Sequence, residues 1–421
     1  MASRLLALAA TLIVAATTAN AAELSIAIGD TGKAVAVMRR QLDAFEKASG
    51  HTVRVVPMPS SATEQFARYK LWLAAQDSSV DVYVADIIWA PQLATQLLDL
   101  TEPAKDIIGE HFPSIVESQT IDGKLVAVPF TTDAPALYYR KDLLKKYKAA
   151  VPKTWDELAA TAATIMEKER KAKKGNKDLW GFVFEGKDYE GLTCNALEWI
   201  VSNGGGRIVE TDGTISIDND KAAAAIDRAK GWVGTIAPPE VLTFGEEEAR
   251  AVWQQGNALF MRNWPYAYAL GNEEGSAIAE KFDVTTLPLG SEGGKPAATL
   301  GGWNLAIPKY TRHAEAAIAL VKFLASAEQQ KVRALESAAL PTIRALYKDP
   351  EIAATQPFMP RWEGVFTDAV PRPSATTRLK YNEVSTSFWT AVHKTLAGDG
   401  TAAANLAALK GQLTAIRGAA W

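Results

Sequence analysis

Leu24-Ser25-Ile26-Ala27-Ile28 alternates in side-chain character and then meets Gly29-Asp30, the pattern of a strand ending in a turn. Val35 to Phe45 follows with Met38, Leu42 and Phe45 at helical spacing. Val53–Val56 is strand-like again, Phe66 to Leu73 is helical, and Val80–Ala85 (VDVYVA) is a short strand. The order β-α-β-α-β predicts an α/β domain with a largely parallel sheet, because parallel strands need a crossover between them.

Working outward, Leu125–Val128 is a predicted strand running into Pro129. Thr154-Trp155-Asp156-Glu157 is a capping box in which the Thr154 hydroxyl accepts from the Glu157 amide and the Glu157 carboxylate reaches back, with Pro152 fixing the approach. The helix it opens presents Leu158, Ala162 and Ile165 on one face. Further strands are predicted at Gly181–Phe184, Ala258–Met261, Asp283–Leu287 and Trp303–Ile307. A long helix is predicted over Ala314 to Ser326, with Ile318, Val321 and Leu324 on one face. A chain of 421 residues exceeds one ordinary core at roughly 150 residues per domain. No repeat, low-complexity tract or long linker divides it, so two domains are expected, with the chain crossing between them more than once.

The N-terminus sets the compartment. Arg4 precedes an apolar run, Leu5 to Ala16, and Ala19-Asn20-Ala21 supplies small residues at a cleavage site, so residues 1–21 are expected to be a signal peptide. The run is shorter than the roughly 18–20 residues that span a bilayer. No cysteine lies near the site to carry a lipid, so the expected location is the periplasm without an anchor. Cys194 is the single cysteine, read as a small buried thiol, and an internal disulfide is excluded. Apolar residues make up 48% of the chain and the net charge is −3, which gives no argument for nucleic acid as a partner. The basic run Lys168 to Lys177 reads as a solvated helix end and loop.

Several catalytic signatures are missing. Asn203-Gly204-Gly205-Gly206 lacks the Lys-Ser/Thr of a P-loop and reads as a turn. No dinucleotide fingerprint follows the first strand, no two-histidine metal spacing exists among His51, His111, His313 and His393, and no G-x-S-x-G elbow occurs. A carboxylate pair for glycoside hydrolysis stays open, because such pairs meet only in the fold.

Four clusters combine aromatic and polar residues: Asp86-Ile87-Ile88-Trp89, Arg262-Asn263-Trp264-Pro265-Tyr266-Ala267, Thr299-Leu300-Gly301-Gly302-Trp303 and Ala369-Val370-Pro371-Arg372-Pro373. A sugar ring suits this chemistry. Its C–H face stacks on an indole, and its hydroxyl rim donates to carboxylates and accepts from guanidinium groups. For any one of the twelve tryptophans, core packing is the plainer reading. At these clusters the sequence resembles the extracellular solute-binding proteins (family 1) of carbohydrate ABC transporters, and more narrowly the trehalose/maltose-binding branch. The resemblance runs from Leu24 to near the end of the chain. It includes Leu137–Leu144 (LYYRKDLL), Pro152–Leu158, Tyr189–Leu192 (YEGL), Ser202–Gly205 (SNGG) and Gln254–Ala258 (QQGNA).

That resemblance implies two α/β lobes, each a mostly parallel sheet flanked by helices, joined by a three-crossing hinge with ligand between them. The expected lobes are residues 22–131 plus 290–327 and residues 132–289 plus 328–421. It places Asp86, Asp133, Trp264, Gly302, Trp303 and Arg372 on ligand contacts. Trp264 and Trp303 would stack, the two aspartates accept, Arg372 donate and the Gly302 amide donate. Ser61 falls on a hydroxyl-bearing position. Two departures stand out: Lys33-Ala34-Val35-Ala36 has no acid where the branch has a ligand-binding glutamate, and Thr131 replaces a tyrosine. The implied partners are a small glycoside of trehalose or maltose type and the permease of an ABC importer, served by a monomer that is no enzyme. No metal or organic cofactor is implied. The alternatives are a binder of a glucosyl polyol or an anionic glycoside and, in another class, a secreted glycosidase or lyase using Asp86 and Asp133.

Overall fold

The strands of the protein, in chain order, are β1 (Glu23–Ile28), β2 (Thr52–Pro57), β3 (Val82–Asp86), β4 (Thr120–Ile121), β5 (Lys124–Leu125), β6 (Val128–Asp133), β7 (Ala136–Tyr139), β8 (Trp180–Val183), β9 (Ala258–Asn263), β10 (Asp283–Thr285) and β11 (Gly301–Ala306). The computed structural model describes residues 21–290, 295–367 and 369–421, and the expected signal peptide lies almost wholly outside these described residues. The helices that shape the space between the sheets are α1 (Lys33–Ser49), α2 (Ala62–Ala74), α3 (Trp155–Lys171), α4 (Glu190–Ser202), α5 (Glu246–Gln254), α6 (Ala314–Ala325), α7 (Ala327–Ser337) and α8 (Tyr381–Leu396).

One sheet runs β2-β1-β3-β11-β6 and a second runs β10-β7-β9-β8, with β4 and β5 a separate hairpin. Leu24, Ile26 and Ile28 point to one face of the first sheet, where Met38, Leu42 and Phe45 of α1 and Leu320, Val321 and Leu324 of α6 cover them. Ala27, Tyr83 and Ala85 point to the other face, against Phe66, Tyr69 and Leu73 of α2. Burial of both faces is why these strands are nearly continuous in apolar and small residues. The second lobe is built around Trp155, Phe182, Phe184 and Trp199, with Val384 and Phe388 of α8 in the same core.

The two-lobed α/β fold stands as expected, but the strand directions are mixed rather than mostly parallel. β1 pairs in parallel with β2 and β3, and β8 with β9. β11 is antiparallel to both β3 and β6, and β7 is antiparallel to β9 and β10. The cause is the crossings. β6 leaves the first sheet for β7 in the second, so β11, returning from the second, enters beside β6 at the end where β6 finishes. After α6 the chain crosses a third time, and Thr132 bridges to Leu340 there. Each crossing therefore brings a strand end to the space between lobes. The carboxyl ends of β3, β6 and β9 all meet that space.

Pro129 does not stop a strand at Val128; it lies inside β6. The register passes from Trp303 opposite Thr131 to Asn304 opposite Pro129, which leaves Phe130 as an extra residue. Proline is tolerated in a sheet at an edge or a bulge, and β6 offers both.

Candidate ligand-binding site

Register builds the first wall. Asp86, the last residue of β3, lies opposite Trp303 of β11, and Trp303 lies opposite Thr131 of β6. Asp133 lies opposite Gly301. Trp303 is held edge-on by Trp89, with ring centroids 5.8 Å apart at 81°. Gly302 has φ 139°, and a Cβ there would come within 2.7 Å of the Thr131 carbonyl oxygen, so the strands approach this closely only with glycine.

The second wall comes from the end of β9. Arg262 is fully buried between Glu185 and Glu198, and its guanidinium carbon lies 4.4 Å from the Trp264 ring centroid. The Tyr138 hydroxyl donates to the Trp264 carbonyl at 2.7 Å. Tyr266 donates to Glu247 and Tyr189 to Glu246, both at 2.5 Å.

Between these walls lies a cavity of about 220 Å³. At ~10–15 Å³ per water on this measure, it is far larger than a single water site. Trp264, Trp303, Asp86, Asp133, Gly302, Thr131 and Arg372 all line it. Ser61 does not: its neighbours Ser60 and Ala62 do, while the Ser61 hydroxyl accepts from the Glu64 amide and caps α2. Ala34, on the first turn of α1, lines the cavity where the resemblance expects an acid.

Arg372 pairs two of the acids within the site. Arg372 donates to Asp86 at 2.8 Å and to Glu190 at 3.0 Å. Glu190 also accepts from Ser385 at 2.8 Å and from Tyr381. Burial holds the Glu190 carboxyl above its usual range, against the pull of Arg372. Asp133 has no such cation. Burial, with the Asp86 charge adding, pushes its carboxyl up to about 8. Asp133 is thus largely neutral at pH 7 and offers a proton as well as lone pairs. Burial also raises Asp30 to about 6 and Glu246 to about 7. Cys194 lines the cavity too, its thiol held protonated by burial.

The sequence reading did not single out Glu190, Glu246, Glu247, Asp30 or the Arg262 ion group. Glu190 stood in the quoted YEGL stretch and Arg262 in the RNWPYA stretch, but the partners that define their roles lie far away in the chain. Among the described residues no cluster of His, Cys, Asp and Glu is arranged to hold a metal ion.

Residues 29–331 match the family model of the bacterial extracellular solute-binding proteins. A probable ABC transporter-binding protein of Deinococcus radiodurans is 47% identical over 410 residues, covering 97% of this chain and 96% of that protein. The chain belongs to this family. Among solved structures, the solute-binding protein MalE3 of T. maritima with maltose bound is 39% identical, with a TM-score of 0.88 over 94% of this chain and 100% of that one. A solute-binding protein of Thermotoga lettingae with bound α-D-tagatose superposes with a TM-score of 0.82 over 94% of this chain and all of that chain, at 23% identity, a likeness of fold alone. Solute-binding proteins of this family are binding components of ABC transporters rather than enzymes, and the cavity between the lobes is where this one places its aromatic and acidic groups.

Proposed function

We propose that this solute-binding protein captures a neutral glycoside of disaccharide size, of maltose or trehalose type, between its lobes and delivers it to an ABC permease from outside the cytoplasm. The observation that carries this is that Trp264 and Trp303, contributed by different lobes, line one cavity together with Asp86 and Asp133. Indoles meet the C–H faces of sugar rings and carboxyls meet the hydroxyls. The resemblance to a maltose-bound protein at 39% identity supports the ligand class. An anionic glycoside fits less well. The Arg372 guanidinium is already matched by Asp86 and Glu190, so it is not free to pair with a ligand carboxylate. A glycosidase reading fits less well too, because Asp86 is tied to Arg372.

At the end near α1, Ala34 makes no hydrogen bond through its side chain. Hydrogen bonds to charged groups contribute about 1.5–3 kcal/mol, so one missing contact weakens a trehalose-type ligand roughly ten- to a hundred-fold. The test is calorimetry and thermal shift with maltose, trehalose, sucrose, glucosylglycerol, mannitol and a carboxylated glycoside, with Ala34→Glu alongside. A neutral disaccharide should bind tightest, remain intact and raise the melting point. At 100 times its dissociation constant it adds about 2.7 kcal/mol. Cleavage of the sugar, or preference for the carboxylated compound, would overturn the proposal.

A further inference from the structure

The Glu185–Arg262–Glu198 group is fully buried, with all three side chains at 0% exposure. Removing three charges from water is costly, and apolar side chains of similar size commonly stabilise a core better. What such a group supplies is direction, because the guanidinium is flat and its five donors are fixed in angle.

Those directions lead to the cleft from both lobes. Arg262 donates from Nε to Glu198 at 2.9 Å and from Nη1 to Glu185 at 3.1 Å, while Asn195 donates to Glu185 at 2.6 Å. The plane so fixed lies under the Trp264 indole at 4.4 Å. Glu198 accepts a further bond, at 3.3 Å, from the backbone amide of Thr299. Thr299 also donates its hydroxyl to the Cys194 carbonyl at 3.0 Å. Thr299 lies on the returning crossing, shortly before Gly301, Gly302 and Trp303. Gly301 closes the arrangement: a Cβ there would come 2.7 Å from the Trp264 ring.

We propose that this buried ion group is the mount that fixes where the two tryptophans stand on the cavity wall, with Arg262 a positioning residue for Trp264 and Glu198, through Thr299, for the Trp303 segment. The inference rests on the sugar-binding reading and deepens it: the placement of the two indoles on the cavity wall is set from below by groups that are absent from the lining. Arg262→Lys keeps the charge and loses the plane. Gly301→Ala displaces the indole from the other side.

The experiment is a set of double-mutant cycles read by calorimetry with the tighter-binding of maltose and trehalose. Arg262→Lys and Gly301→Ala should each weaken binding about tenfold in the wild-type background, the equivalent of about 1.4 kcal/mol lost from a displaced indole. In the Trp264→Ala background each should weaken it clearly less, by no more than about threefold, because of the two groups being positioned only Trp303 remains. Equal losses in both backgrounds would mean a general structural effect and would overturn the proposal. Should Arg262→Lys fail to fold, the charge-free triple variant Glu185→Gln, Arg262→Gln, Glu198→Gln takes its place. Unchanged wild-type affinity in that folded variant would also overturn it. If the wild-type protein binds neither sugar, the sugar reading itself falls and takes this inference with it. If it binds and the cycles are additive, only the mount falls.

Discussion

Asp133 is a cleft residue whose chemistry departs far from its ordinary state. Its carboxyl is raised to about 8, so the folded protein holds a proton that the unfolded chain releases near pH 4. The contribution is favourable below the unfolded value and is lost as pH rises from about 4 through 8. Asp133→Asn should therefore flatten that decline, and melting curves of the two ligand-free proteins between pH 5 and pH 9 should diverge with rising pH. Parallel curves would show that Asp133 is solvated like any surface carboxylate. The tryptophans give a second expectation. Trp303→Ala and Trp264→Ala should weaken sugar binding while the ligand-free melting point falls less than for a fully buried tryptophan, since both rings are half-buried and line the cavity, Trp303 also packing against the first lobe's core. A loss on the scale of a core aromatic, about 3–5 kcal/mol of stability, would assign the ring to packing instead. Asp86, Trp264, Trp303 and Arg372, which line the cavity, each sit in a short, distinctive stretch of sequence, whereas Asp133 was named only through the family resemblance. Glu190 was not singled out, because its meaning lies in Tyr381 and Ser385, which approach it through packing of α8 on α4, and in Arg372, which reaches it from the segment before α8.

At the scale of elements, local pattern located most helices and strands, and their directions were hidden. α1 and α6 match the predicted apolar stripes closely, since a helix that buries one face must repeat that face. The capping box at Thr154 is half formed. The hydroxyl accepts from Glu157 at 3.1 Å, but the Glu157 carboxylate takes the Lys153 amide at 2.7 Å, one residue earlier than the pattern implies. Here the backbone also bridges to Leu289, through the Lys153 carbonyl and the Trp155 amide, an arrangement no local window contains. The antiparallel entry of β11 is of the same kind. It turns on Gly302, and Gly302→Ala should cost about 1–3 kcal/mol from backbone strain and the clash with the Thr131 carbonyl. Denaturant unfolding would measure it, and a change below about 0.5 kcal/mol would show that the strand shifts freely.

For the whole molecule, the three crossings and the ion pairs of Arg372 describe two bodies joined at strand ends. A ligand that contacts both Trp264 and Trp303 favours the closed arrangement by the difference in its affinity for the two forms. Small-angle scattering should show a smaller radius of gyration at saturating sugar, and an unchanged radius would count against closure. The interleaving has another consequence. β11 stands between β3 and β6, yet it is completed only at residue 306 of 421. Until then β3 and β6 have no strand to join them, and Leu305 and α6 are missing from the first core. The leading lobe therefore cannot condense while the chain is still emerging; its assembly waits for sequence made after the second lobe's strands. A polypeptide threaded end-first through a narrow pore benefits from that delay, because its first domain stays pliable until most of the chain is on the far side.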